Sequence, residues 1–371
     1  MTRLLARLRI YGAEPAGARE DECWEQTLVR LLQTMAGAEV GGAEAFFVRL
    51  AVAIEKTEVE QRVVIRRDPA RARALRAGGV DPVELPFGGR MDFRTRPALQ
   101  REIDRHRPDI ALSWMSRASW ATPAAQKPLA YKLIARLGGY YDLKYYRHCD
   151  YLIGNTQDIV DHIVKAGFDK ARAVYLPNFV HAPSRDAVSR LGFDTPIDAP
   201  LLLAMGRLHQ NKGFDVLLRA MVDMPDHWLW IAGEGPEGTA LSQLASELGV
   251  SERVRFLGWR DDSDALMQAC DMFVCSSRHE PLGNIVLEAW ASGKPVVAAA
   301  AAGPSGLIGE NEAGLLVPLE DPKALAQGVL GLSNDADLAT QLAAEGYARF
   351  QRDYTEDAVV AKYLAFFESV R

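Results

Sequence analysis

The stretch from Glu280 to Glu288, EPLGNIVLE, runs directly into AWASGKPVV and places two carboxylates eight positions apart where a loop enters a helix. Met272 to Cys275 reads as a buried strand, Pro281, Gly283 and Asn284 break the pattern, and Ile285 to Ala291 resume helical spacing. Glu280 therefore belongs to the loop and Glu288 to the helix, about one turn in. Between them, Leu282, Gly283, Asn284 and Ile285 supply backbone N–H groups at a helix N-terminus, suited to phosphate or to sugar hydroxyls, and the glycine lets a ligand reach the main chain. That combination suits a nucleotide sugar. Two glutamates at this spacing are also common on solvated helices, so the pair alone leaves both readings open.

A second group stands upstream in Met205 to Asp215, MGRLHQNKGFD. Gly206 follows the strand-like run Leu201 to Ala204, and Arg207 and Lys212 flank a glycine-bounded turn at a helix start, fitted to oppose a diphosphate. Taken alone, such a pair is usually two surface residues. Glycines also open the turns at Gly41 and Gly42, leading through Ala43 and Glu44 into a helix, and at Gly233, Glu234 and Gly235 after the run ending at Ile231.

The elements that must position these residues alternate in type. Strand-like runs cover Val29 to Met35, Arg62 to Ile65, Ile110 to Trp114, Tyr151 to Gly154 and Ala173 to Leu176, with helical patterns at Ala43 to Glu55, Arg94 to His106 and Thr156 to Ala166. Residues 182–200, APSRDAVSRLGFDTPIDAP, read as an interdomain linker. A second series has strands at Leu201 to Ala204, Trp228 to Ile231, Val254 to Phe256, Met272 to Cys275 and Val296 to Ala299. The alternation predicts an α/β protein of two Rossmann-like domains, with parallel sheets and ligands at the carboxyl ends of the strands. The boundaries read as an extension over 1–26, a first domain over 27–185 and a second over 198–350.

At 371 residues, 48% hydrophobic and 25% charged, the chain suits a two-domain soluble protein. No apolar run reaches membrane-spanning length, and arginines interleave the leading MTRLLARLRIYG, which reads as a poorly ordered tail or a short basic amphipathic anchor. Cys23, Cys149, Cys270 and Cys275 have neither metal-ligand nor disulfide-framework spacing, as expected in a reducing, cytoplasmic compartment. The net charge of −6 is uneven: residues 1–180 hold 28 Lys and Arg against 22 Asp and Glu, the remainder 15 against 27. A basic first half fits peripheral contact with an anionic membrane or a phosphorylated acceptor, or is simply an uneven spread of solvated charge. No nucleic-acid reader motif is present.

The run SRHEPLGNIVLEAWASGKPVV resembles the nucleotide-sugar signature of the retaining glycosyltransferases of family 4, the glycosyltransferase group 1 type. Gly-Arg-Leu then Lys-Gly at 206–213 and Gly-Gly-Ala-Glu at 41–44 match that family as well. The resemblance covers residues 27–371 and implies the GT-B fold, two Rossmann-like domains facing across a cleft, with the last helix, 355–371, returning to the first domain. It further implies that Arg207 and Lys212 grip the donor diphosphate, Glu280 the donor sugar and Glu288 the ribose. The Gly41–Gly42 loop would face the donor phosphates, Gly233, Glu234 and Gly235 would line the nucleotide pocket, and Leu257, Gly258 and Trp259 would lie near the base. Trp259 either stacks on that base or caps the core. The chain departs from the family after Arg107-Pro-Asp-Ile110, where ALSWMSRASW lacks the usual histidine, leaving Ser113, Trp114, Met115, Ser116 and Arg117 as substitutes. No metal-binding spacing of histidines and no Asp-any-Asp motif is present, so a metal-independent reaction with no cofactor is expected.

The implied reaction moves a hexosyl unit from a nucleoside-diphosphate sugar to a saccharide or lipid-linked acceptor in envelope polysaccharide or lipopolysaccharide synthesis, at the inner face of the membrane. The aromatic and charged cluster Tyr140 to Arg147 reads either as an acceptor groove or as a half-buried amphipathic helix. A nucleotide-sugar epimerase and a catalytically silent sugar-nucleotide-binding scaffold are the alternatives on the same fold.

Overall fold

The computed structural model describes residues 28–39, 41–89, 92–125 and 130–371. The expected extension over 1–26 lies outside the described residues. The first domain runs β1 (Arg30–Met35), α1 (Gly42–Glu55), β2 (Glu60–Arg66), α2 (Pro69–Ala77), β3 (Val83–Leu85), α3 (Thr95–His106), β4 (Ile110–Trp114), α4 (Met115–Ala121), β5 (Lys132–Leu137), β6 (Tyr151–Gly154), α5 (Gln157–Lys165) and β7 (Ala173–Tyr175). The second runs β8 (Leu201–Met205), α6 (Phe214–Ala220), β9 (Trp228–Ala232), α7 (Gly238–Glu247), β10 (Val254–Gly258), α8 (Ser263–Ala269), β11 (Met272–Cys275), α9 (Asn284–Ala291), β12 (Val296–Ala299), α10 (Ala302–Ile308), β13 (Leu315–Val317), α11 (Pro322–Asn334) and α12 (Ala336–Asp353). A last helix, α13 (Glu356–Val370), follows.

Both sheets are parallel, ordered β3-β2-β1-β4-β5-β6-β7 and β10-β9-β8-β11-β12-β13. Chain order reverses between β1 and β4 and between β8 and β11, so a crevice opens at the carboxyl ends of these strands in each domain. Helices cover both faces, and β4, β8 and β11 are accordingly buried along their whole length.

The sequence reading lacks β3, β5 and β13. The first and last are three-residue edge strands with little periodic signal, although the equally short β7 is read within Ala173 to Leu176. In β5, KLIARL, two cations interrupt the apolar run, yet Arg136 is buried. The segment 182–200 lies against the second domain: Ser184 N and Oγ donate to Asp264 Oδ2 at 3.0 Å, and the Arg190 guanidinium spans the Ala269 carbonyl and Asp271.

Helix α13 is capped by Thr355, whose hydroxyl accepts from Ala358 N at 3.2 Å, and lies on the first domain, with Val359, Val360, Tyr363, Phe367 and Val370 in its core. Arg136 joins this helix to the rest. Its Nε donates to Tyr363 Oη at 2.7 Å, its Nη2 donates to Asn178 Oδ1, and its Cζ lies 4.6 and 4.7 Å from the ring centres of Phe46 and Trp114. Asn178 Nδ2 then donates to Asn284 Oδ1 at 3.1 Å, on the first residue of α9 in the other domain. One guanidinium thus ties the terminal helix to Asn178, which in turn bonds the second domain.

Tyr363→Phe leaves the Arg136 Nε–H without its acceptor and is expected to cost about 1–2 kcal/mol. Arg136→Ala also opens a cavity between Phe46 and Trp114 and should cost about 3 kcal/mol or more in denaturant titrations. Equal losses for the two variants would mean that the hydroxyl bond alone matters.

Candidate functional site

The loops after β8 and β11 converge at the carboxyl edge of the second sheet. Lys212 Nζ is 2.5 Å from Glu280 Oε2, both side chains largely buried. The other Glu280 oxygen, Oε1, accepts from Gly283 N at 3.3 Å, and the Glu280 carbonyl accepts from Gly303 N at 2.7 Å. Gly213, between Lys212 and α6, has φ +60°, and a Cβ there would stand 2.2 Å from the Ser276 carbonyl oxygen. Only glycine lets the two loops touch.

A fork behind this pair holds the loops in register. Arg278 Nη1 and Nη2 each donate to the Asp215 carboxylate at 2.7 Å, and Arg278 Nη1 also reaches the Gln210 carbonyl. The bidentate bond to Arg278 lowers the Asp215 pKa and raises that of the guanidinium. Arg278, Asp215 and Gly303 are absent from the sequence reading. Their signal was proximity: Arg278 precedes Glu280 by two positions and Asp215 follows Lys212 by three.

The remaining predicted residues fall around this centre in distinct roles. Arg207 is exposed and makes no hydrogen bond or ion pair among the described residues, a cation free to meet phosphate. Gly233 and Gly235 serve backbone packing, since Cβ atoms there would lie 2.0 Å from the Gly206 oxygen and 2.3 Å from the Leu208 oxygen, whereas a Cβ on Gly206 would meet the Lys212 side chain at 3.0 Å. The Glu234 carboxylate accepts from Trp259 N at 3.4 Å. Trp259 is 70% exposed, which removes the core-cap reading. Leu257 and Ile285 turn partly into the second-domain core, while Leu282 packs against a first-domain cluster across the cleft. Gly41 and Gly42 begin α1, where Glu44 folds back to accept from Ala38 N at 2.8 Å.

Asp68, Thr156, Asp321 and Thr355 cap α2, α5, α11 and α13 with side-chain bonds, whereas α1, α6 and α9 start at Gly41, Gly213 and Gly283 with no side-chain cap. The N–H groups of Asn284 and Ile285 find no partner among the described residues. These are open donors with the positive end of a helix dipole behind them. Glu288 is half-buried in the cleft; burial raises its carboxyl pKa, and the nearby Arg49 charge opposes that shift. Its side chain makes no hydrogen bond or ion pair among the described residues.

Of the residues offered in place of a histidine after β4, Ser113 and Trp114 are buried and bonded, to Ser119 and the Ile134 carbonyl and to Gln33 respectively. Met115 has φ +62°, a strained conformation for a non-glycine residue, while Ser116 and Arg117 reach the surface. The cluster Tyr140 to Arg147 is not an α-helix: only Leu143–Tyr145 forms a single 3-10 turn, capped at its start by Asp142, which accepts from Lys144 N. It lines a cavity of about 450 Å³ with His162, and burial followed by an Asp158 hydrogen bond pushes the Tyr140 hydroxyl to about 12. A larger cavity of about 820 Å³ lies at the amino ends of β8 and β11 and includes none of the predicted site residues. Among the described residues no cluster of three His, Cys, Asp or Glu suits a metal ion, and no helix is long and apolar enough to cross a membrane.

Residues 192–349 match the family model for glycosyl transferases group 1, and residues 40–182 that for glycosyltransferase family 4. The chain is 36% identical to the lipopolysaccharide core biosynthesis glycosyltransferase LpsE of Rhizobium meliloti, over 89% of this chain and 96% of that protein. The chain belongs to the group 1 glycosyltransferases. LpsD of the same organism is 35% identical over 88% of this chain and 95% of its own length. The crystal structure of Anabaena HepE with UDP and glucose superposes on this glycosyltransferase with TM-score 0.77 at 20% identity, covering 92% of this chain and all of that one, and so shares its GT-B fold.

Gly213→Ala forces a Cβ against the Ser276 carbonyl and should destabilise by about 1–3 kcal/mol while parting Lys212 from Glu280. Gly42→Ala, with no atom within 4 Å of its Cβ, should leave the melting temperature within a degree or two of wild type. A tolerated Gly213→Ala with full transferase activity would show that the close approach is dispensable.

Proposed function

We propose that this glycosyltransferase moves a hexosyl unit, with retention, from a nucleoside-diphosphate sugar to a saccharide or lipid-linked acceptor. The observation that carries the reading is the Lys212–Glu280 pair set against the open N–H groups of α9. In this reading Lys212 and Arg207 neutralise the diphosphate, whose negative charge grows as the glycosidic bond breaks, and the open N–H groups add fixed dipoles. Glu280 is already oriented by Lys212 and by Gly283 N, and accepts bonds from the donor sugar's hydroxyls. Glu288 accepts from the ribose hydroxyls.

The acceptor attacks on the face from which the diphosphate leaves, and a phosphate oxygen takes its proton. No cofactor and no metal ion is needed, because the cations that meet the diphosphate are side chains. The basic first domain and the Tyr140–Arg147 cavity, with Lys144 and Arg147 in its wall, suit an anionic acceptor presented at a membrane surface. The names of LpsE and LpsD support a place in lipopolysaccharide synthesis.

A donor screen tests this. Nucleoside-diphosphate release from UDP-, GDP- and ADP-sugars should favour one donor, fall about 10³-fold or more in the Lys212→Ala, Glu280→Ala double variant, and persist in EDTA. Proton NMR of the product should show the donor's anomeric configuration kept; inversion overturns the retaining mechanism. Binding without release, with acceptor present, favours a silent scaffold, and turnover of the donor alone to an epimer favours an epimerase.

The acid limb gives an independent check. A Glu288 carboxylate accepts ribose hydroxyls only when ionised, and burial moves its protonation above the ordinary glutamate value of about 4.3. Donor KM should therefore rise as pH falls through that raised value. Glu288→Gln should have a high KM at neutral pH and lose this acid limb; an unchanged limb places the titration elsewhere.

A further inference from the structure

Arg49 and Glu288 line one cavity of about 280 Å³ at the junction of the two domains, Arg49 from α1 of the first and Glu288 from α9 of the second. Both charges are unsatisfied. Arg49 makes no hydrogen bond or ion pair among the described residues, and its Nε is buried without an acceptor. The Glu288 carboxylate makes neither as well, and the two groups stand too far apart for an ion pair within 4.0 Å. An unpaired guanidinium facing an unpaired carboxylate across a cavity also lined by His181, Arg185 and Asp264 is costly unless something polar completes both.

The guanidinium is also held. Its Cζ lies 5.7 and 5.8 Å from the ring centres of Phe46 and Phe179, which pack edge to face at 5.2 Å. Phe46 is on α1 and Phe179 just precedes the chain's passage to the second domain, so the cation is fixed on the first-domain side of the junction. A ribose matches the gap: each hydroxyl can donate to a carboxylate while accepting from a guanidinium.

We infer that Arg49 is a specificity-determining residue that donates to the ribose hydroxyls of the nucleotide, holding the sugar ring between its guanidinium and the Glu288 carboxylate and tying the first domain to the bound donor. This rests on the reading of Glu288 as the ribose ligand. Donor binding then closes the Arg49–Glu288 gap, and the energy of that closure is available only with an intact ribose diol.

The test is a binding cycle on the full chain. Dissociation constants are measured by calorimetry for UDP, GDP and ADP, then for the 2′-deoxy and 3′-deoxy forms of the nucleotide that binds, with wild type, Arg49→Met, Arg49→Ala and Glu288→Gln. Wild type should lose roughly tenfold or more on removal of a ribose hydroxyl. In Arg49→Met, which keeps apolar bulk between the two phenylalanines, the ribonucleotide should weaken about tenfold and the deoxy penalty should shrink to a few-fold or less. Arg49→Ala should agree; if it fails to fold, the methionine variant decides. A wild-type deoxy penalty in Arg49→Met together with a reduced one in Glu288→Gln overturns the inference and leaves the ribose role of Glu288 standing. An undiminished penalty in Glu288→Gln, or no nucleoside diphosphate bound by wild type, overturns the underlying reading and this inference with it.

Discussion

Lys212 and Glu280 lie 68 residues apart, and their meeting depends on a backbone approach that admits no side chain. Gly213 lies over the Ser276 carbonyl, Ser276 Oγ donates to the Lys212 carbonyl at 2.9 Å, and the Arg278–Asp215 fork closes the same gap from behind. Each contact joins the loop after β8 to the loop after β11, the two strands between which chain order reverses. The parallel sheet sets how far apart those loops begin, and the glycine sets how near they end. Charge then follows geometry: a lysine and a glutamate held this closely are oriented before any donor arrives, so little reorganisation remains for the reaction itself.

The cleft is also where ordinary rules of satisfaction are relaxed. Elsewhere, α2, α5, α11, α12 and α13 are capped by Asp or Thr side chains, and Arg190 and Arg349 pair with Asp271 and Glu312. Facing it, α1, α6 and α9 begin at uncapped glycines, Arg207 and Arg49 lack partners, and the Glu288 carboxylate accepts nothing among the described residues. Left alone, such groups would only cost stability. In the reading proposed above, a diphosphate and a polyhydroxylated ligand complete these groups.

The domains are not independent on their cleft sides. Arg136 links Tyr363 of α13 to Asn178 and through it to Asn284 at the start of α9, and Leu282 beside Glu280 packs on first-domain side chains. A buried guanidinium with neutral partners and two aromatic faces avoids the rigid geometry of a buried ion pair while keeping its donors satisfied. The donor loop therefore reports on the position of the first domain, and the terminal helix that crosses back is part of that coupling.

Much of this was legible from the chain alone. Alternating apolar runs specified two parallel α/β domains because strands buried on both faces and helices buried on one leave different periods, and the resemblance of EPLGNIVLE and MGRLHQNKGFD to the family's signatures marked Glu280, Glu288, Arg207 and Lys212 as candidates. Two of the three short edge strands, β3 and β13, and the arginine-bearing β5 escaped, since a three-residue run carries little periodic signal and a buried cation looks exposed in sequence. Only the tertiary structure decided that Gly233 and Gly235 serve backbone packing, that Trp259 stands in solvent, that Arg278 and Asp215 brace the centre, and that Arg49 faces Glu288. Those facts depend on which loops the sheets bring together, and proximity between residues far apart in the chain is created by packing, not by local preference.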